Sequence, residues 1–299
     1  MSLGLALGSG GARGWCHIGV LRELKSQGME PDVVAGCSMG ALVGAVWAAG
    51  KLDALEDWAR SLTKARFLRY LDLRLDRGGL VEGSAITQVL SEIGLPDRIE
   101  DLDRPFLAVA TDMATGREIW LKQGPLIPAI RASIAIPGVF SPCQHDGRWL
   151  LDGGLINPVP TSACRALGAA RTIAVNPNAK SGNTLWEPKE EDSYLSRIGG
   201  EGLRGYLPQG VADWLSEPKQ ESGPAYMDVV STSIDILTEF LRASRAAVDP
   251  ADVVLDADLS SVSVMELFRA EEAIAEGQRI ASSASDALKT LGAEMGKRP

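Results

Sequence analysis

The sequence predicts an α/β fold built on a parallel sheet with crossover helices. Three observations predict it. The first fifty or so residues run strand, glycine-rich loop, helix, strand, tight turn, helix, the order a parallel βαβ unit requires. Further apolar runs of strand length, 106–111 and 172–175, alternate with helical stretches. A chain of 299 residues that is 45% hydrophobic can also bury one sizeable core.

Each element has its own signal. Residues 3–7 are a short apolar run with the character of a buried strand, and Gly8 to Gly14 form a glycine-rich loop. A helix is expected over 15–27, where Ile18, Leu21 and Leu24 recur near helical spacing and Gly28 stops it. Residues 33–36 read as the second strand, and 41–47 as the helix that follows the next tight turn. A helix is expected over 52–71, then a turn at Asp76-Arg77-Gly78-Gly79. Strands at 106–111 and 118–121 flank a turn at Thr115-Gly116. A helix over 126–133 stops before Pro137, a strand over 149–151 ends at Asp152, and a helix over 160–167 precedes the strand at 172–175.

Composition changes after Asn176. Residues 177–226 are rich in Gly, Pro, Ser, Lys and Glu, with scattered Trp186, Tyr194, Tyr206, Trp214 and Tyr226. Such a stretch reads as a surface excursion and partial lid, with an oligomer contact as the alternative. Val230, Ile234, Leu237 and Leu241 then mark one face of a helix, 253–255 a last strand, and 264–291 a terminal helix or helix pair. The expected organisation is one domain over 1–299: a core over 3–176, an insertion over 177–226 and a helical part over 227–299.

Composition also narrows the partners. The net charge of −9 and pI near 4.9 speak against nucleic acid. They leave any membrane contact apolar, local and transient rather than electrostatic. Four cysteines without a C-x-x-C pair argue against a disulfide framework or a zinc site. No basic segment precedes an apolar N-terminal core, and the longest apolar run, 41–49, is too short to span a bilayer. A cytoplasmic location follows as the expectation.

The chemistry begins at Ser38. Gly36-Cys37-Ser38-Met39-Gly40 is a G-x-S-x-G pentapeptide set between strand and helix, the setting that lifts a serine hydroxyl out of a sheet as a nucleophile. Gly36 and Gly40 suit a crowded, strained turn. The bland alternative is a serine that only caps the helix. A partner must activate Ser38, and the chain has two histidines, His17 and His145. His17 falls within a helix and His145 on a polar hairpin turn, so neither is well set to be the base, with or without Asp112 as its acid. Asp152, in Leu151-Asp152-Gly153-Gly154, stands at the end of a short apolar strand, where ligands meet an open α/β sheet. Gly153 and Gly154 allow close approach to its carboxylate; the alternative is an Asx turn.

The loop Gly8-Ser9-Gly10-Gly11-Ala12-Arg13-Gly14 misses one glycine of a dinucleotide fingerprint in either register and lacks the Lys of a P-loop. It suits an oxyanion hole, with backbone N–H groups of Gly10, Gly11 and Ala12 as donors. Gly8 and Gly14 bound the loop. Arg13 steadies it, meets a lipid phosphate, or is a solvated charge.

Four blocks of sequence resemble the patatin-like phospholipases, in particular their small bacterial RssA-type branch. They are Gly8 to Gly14, Gly36 to Gly40, Arg131-Ala132-Ser133-Ile134-Ala135-Ile136-Pro137-Gly138, and Asp152-Gly153-Gly154-Leu155-Ile156-Asn157-Pro158. Ala110-Thr111-Asp112-Met113-Ala114-Thr115-Gly116 fits the bacterial branch. The resemblance implies a three-layer α/β/α fold with a mostly parallel central sheet, and a Ser38–Asp152 dyad without histidine. It also implies hydrolysis of lipid or acyl-ester substrates with no metal or organic cofactor. A signalling protein with little turnover and an acyltransferase are the rival readings.

Overall fold

The computed structural model describes residues 1–69, 83–180 and 226–296. Five parallel strands form its centre. β1 (Leu3–Leu7) pairs with β2 (Val33–Cys37) on one side and β7 (Arg171–Ala179) on the other, with Leu5 opposite Val34 and Ile173. β3 (Phe106–Asp112) extends the sheet beyond β2, and β8 (Val253–Asp258) beyond β7.

Side-chain alternation divides the core into two layers. Leu3, Leu5, Leu7, Val34, Phe106 and Ala108 point into one apolar cluster. Ala6, Ala35, Cys37, Leu107 and Val109, their neighbours in sequence, point into a second, as the two-residue period of a strand demands. The larger cluster holds α1 (Cys16–Ser26), α2 (Met39–Ala48), α3 (Leu52–Ser61) and α9 (Ala270–Ser283); α7 (Thr161–Ala166) packs into the smaller. β1, β2 and β3 are buried along their whole length, so helices cover both faces and the architecture is three-layer α/β/α.

The sheet becomes mixed at β3, where three strands share two edges. β4 (Glu118–Leu121) runs antiparallel along residues 108–111. β2 pairs with 106–109, and β6 (Arg148–Asp152) pairs antiparallel with 110–112. β4 overlaps both ranges, so β2 and β6 lie on the opposite edge, one beyond the end of the other. β5 (Cys143–His145) completes a hairpin with β6.

Several expectations need revision. The helix expected over 52–71 is two helices, α3 and α4 (Lys64–Arg69). The chain breaks at Leu62, which turns extended and buries its side chain. β7 spans Arg171–Ala179, longer than the strand expected over 172–175. β5, a three-residue polar arm, is absent from the sequence reading. The terminal helical stretch is α9 followed by α10 (Ser285–Gly296). α5 (Ser84–Ile93), α6 (Leu126–Ser133) and α8 (Tyr226–Val248) complete the elements. The Asp76–Gly79 turn and 181–225, with Trp186, Tyr194, Tyr206 and Trp214, lie outside the described residues. Among the described residues no helix is long and apolar enough to cross a membrane.

Candidate active site

The shared edge of β3 brings two chain ends together. β2 stops at Cys37 opposite Val109, and β6 stops at Asp152 opposite Ala110. Ser38, the residue after Cys37, thus meets Asp152 end to end. Both are buried, with 2% and 4% of their surface exposed. Ser38 has φ 55° and ψ −123°, a conformation that costs a non-glycine residue about 1–3 kcal/mol and persists only where the surroundings enforce it. The enforcement is visible. A Cβ on Gly36 or Gly40 would overlap backbone atoms of Ala41 or Leu7.

Ser133, at the end of α6, locks the turn to the sheet. Its Oγ accepts the Ser38 N–H at 2.9 Å and donates to the Val109 carbonyl at 2.6 Å. Two residues on, the Ala135 carbonyl accepts the Asp152 N–H at 2.9 Å. The block 131–138 therefore holds both candidate catalytic residues. Sequence reasoning includes Ser133 in a motif without giving it a task, because its partners are backbone groups about 24 and 95 residues away.

Asp152 Oδ1 accepts the Gly154 N–H at 2.7 Å, and Oδ2 has no hydrogen-bond partner among the described residues. The Asx-type contact is thus present, and it uses only half of the carboxylate. Burial pushes the Asp152 pKa up to about 7, against the opposing pull of the Ser38 hydroxyl and the Gly154 amide. The Ser38 hydroxyl is thus close enough to the carboxylate to favour its charged form.

The glycine loop is pinned amide by amide. Gly8 N–H donates to Val175 O at 3.0 Å and Ser9 N–H to Pro158 O at 2.8 Å. Ala12 N–H donates to Val264 O at 2.8 Å. The expected role of Ala12 as an oxyanion donor does not fit this structure, because that amide is already engaged. Gly10 and Gly11 N–H have no partner among the described residues, and Gly11 lines the same groove as Ser38.

Arg13 is buried rather than solvated. Its Nε donates to Val262 O at 2.8 Å and its Nη1 to Asn178 Oδ1 at 3.1 Å, with Asp235 3.8 Å away. Of its three readings, the steadying one matches this geometry. His17 is fully buried with Nε2 2.8 Å from Gly8 O, and burial pushes its pKa down to about 4. It is a neutral donor that props the loop. His145 sits at the far end of the β5–β6 hairpin, paired with Arg148. Arg148 is four residues along β6 from Asp152, or about 13 Å at a strand's rise. Asp112 Oδ1 accepts the Ala114 and Thr115 N–H groups, a turn role. Burial raises the Cys37 thiol well above its usual pKa, so it is an inert filler.

An apolar groove opens at Ser38. Leu42, Trp58, Leu62, Phe67, Ile86, Ile136 and Phe140 contribute to its wall. Ser38 is the only hydroxyl among the described lining residues, and none of them is charged. Among the described residues no cluster of His, Cys, Asp or Glu is suited to a metal ion.

Residues 5–165 match the family described as Patatin-like phospholipase. The chain belongs to that family. An uncharacterized NTE family protein of Mycobacterium tuberculosis H37Rv is 35% identical across 95% of this patatin-like chain and 91% of its own length. The human Patatin-like phospholipase domain-containing protein 6 is 35% identical over 58% of this chain, which covers 13% of that protein. The Drosophila melanogaster neuropathy target esterase is 34% identical over 62% of this chain and 13% of its own length. Two of these relatives carry NTE or esterase names and the third a patatin-like phospholipase name, and none singles out the RssA-type branch. Membership makes the chain an ester-cleaving enzyme and, in general terms, a lipid acyl hydrolase.

Proposed function

We propose that this enzyme cleaves carboxylic esters of phospholipids or simpler acyl esters through an acyl-serine intermediate, with Ser38 as nucleophile and Asp152 as its base. The observation that carries the reading is the end-to-end meeting of β2 and β6. It sets a strained serine against a buried carboxylate at an apolar groove whose described lining holds no histidine.

Asp152 takes the Ser38 proton as Oγ bonds to the ester carbonyl carbon. The carbonyl oxygen becomes an oxyanion, met by the Gly10 and Gly11 N–H groups; one such donor is worth about 3 kcal/mol of barrier. Collapse breaks the carbon–alkoxide bond, and Asp152 returns the proton to the leaving alcohol. Water then attacks the acyl-serine, giving its proton to Asp152. The fatty acid leaves, and the proton returns to Ser38. The groove holds the acyl chain and excludes water from it.

The test combines labelling with turnover. A fluorophosphonate probe should label the protein once and Ser38→Ala not at all, with hydrolysis of p-nitrophenyl esters lost in parallel. Labelling or turnover that persists in Ser38→Ala would remove Ser38 as the nucleophile.

A further inference from the structure

The family match ends at residue 165, yet Val264, Met265 and Leu267 line the groove beside Ser38. They belong to an irregular strap, 259–269, between β8 and α9. Three hydrogen bonds tie the strap to the glycine loop and the turn after it. Arg13 Nε donates to Val262 O at 2.8 Å, Ala12 N–H to Val264 O at 2.8 Å, and Trp15 Nε1 to Leu267 O at 3.1 Å. Between these ties Val264 lies directly on Gly11, where any Cβ would overlap the Val264 carbonyl. The strap is also braced within itself. Glu266 accepts the Ser263 N–H at 2.9 Å and pairs with Arg269 at 3.3 Å, while Val262 is buried beneath.

We propose that strap 262–267 is the acyl-chain selector of this enzyme, with Val264 and Met265 setting how much of a chain the groove admits. The same piece of backbone holds the oxyanion loop. By taking the Ala12 amide, Val264 O leaves Gly10 and Gly11 to face the ester, so chain recognition and oxyanion geometry rest on one braced element. The inference depends on the acyl hydrolase reading above for its substrate and places specificity outside the region that matches the family. Each methylene a groove removes from water strengthens binding about fourfold. A wall residue that displaces between one and two methylenes therefore discriminates long from short chains by about tenfold.

Met265→Trp and Val264→Ala are compared with the parent on p-nitrophenyl acetate, octanoate and palmitate. Met265→Trp should lower the palmitate-to-acetate ratio of kcat/KM by about tenfold, mainly through KM, and Val264→Ala should raise that ratio. In parallel, dansyl-undecanoic acid binding is followed by fluorescence in the Ser38→Ala protein, where adding Met265→Trp should weaken it by about tenfold. An equal loss on all three esters, or an unchanged ratio in both variants, overturns the proposal. If the parent cleaves no ester but the dansyl acid still binds and Met265→Trp weakens it, the hydrolase reading fails and the strap assignment stands.

Discussion

If Ser38 and Asp152 act as the proposed pair, burying the carboxylate solves a problem of base strength. An aspartate at its ordinary pKa near 3.8 is too weak to draw a proton from a hydroxyl, and burial of Asp152 lifts it to about 7. Activity should therefore climb about tenfold per pH unit up to about 7 and level off above it, a profile read directly from kcat/KM against pH. Asp152→Asn should abolish turnover; an unchanged rate would demand another base. The same shift has a cost in stability. Because the folded pKa exceeds the unfolded one, stability is full below about 3.8 and is lost as pH rises to about 7, by about 4 kcal/mol. Asp152→Asn has no charge to bury, so its melting temperature should gain on the parent as pH rises across that window. His17 has the opposite sign. Its folded pKa near 4 lies below the unfolded 6.5, so stability is lost as pH falls from about 6.5 to about 4, by about 3 kcal/mol. Denaturant midpoints of His17→Gln should lose that acid slope. Sequence makes Ser38, Asp152 and the histidine shortage visible, because residue type and neighbours alone define them. It hides the occupied amide of Ala12, whose acceptor, Val264, lies about 250 residues away.

At the scale of elements, the site is a junction of ends rather than a surface of one helix or strand. β2 and β6 abut on a shared edge of β3, and the end of α6 clamps the abutment through Ser133. Removing that hydroxyl strands a buried N–H and a buried carbonyl, which costs about 1–3 kcal/mol. Ser133→Ala should unfold at correspondingly lower denaturant. If the clamp sets the elbow, its kcat should fall more than its KM changes; a stability loss with an unaltered kcat would limit Ser133 to a structural part. This junction explains what patterning reveals and what it does not. β1, β2, β3 and β7 are apolar runs bounded by turn signals, so their existence follows from period and composition. The break between α3 and α4 carries no Gly or Pro; Leu62 leaves the helix to reach a tertiary pocket, which a periodic reading cannot anticipate. The strap is harder still, since it has neither helical nor strand periodicity and its order comes from Glu266, Arg269 and three bonds to distant residues.

For the whole molecule, the question is which length of chain makes the site. The family match covers 5–165, which includes Ser38, Asp152 and the whole glycine loop. Yet β1, the central strand, needs β7 along one entire edge, from Leu3 opposite Arg171 to Leu7 opposite Val175. The loop itself depends on Val175 O for Gly8, on Asn178 Nδ2, which donates to Ser9 O at 2.8 Å, and on the strap for Ala12. A chain ended after 165 would expose a long apolar strand edge, an invitation to aggregate. It would also leave the α1 side of the core without α9, whose Ala273, Ile274 and Ala281 are fully buried. Residues 1–165 expressed alone should therefore show no cooperative thermal transition and no fluorophosphonate labelling, while the full chain of 299 residues shows both. A folded, labelled 1–165 fragment would mean that the matched region carries the site unaided and that β7, β8 and α9 are additions to it.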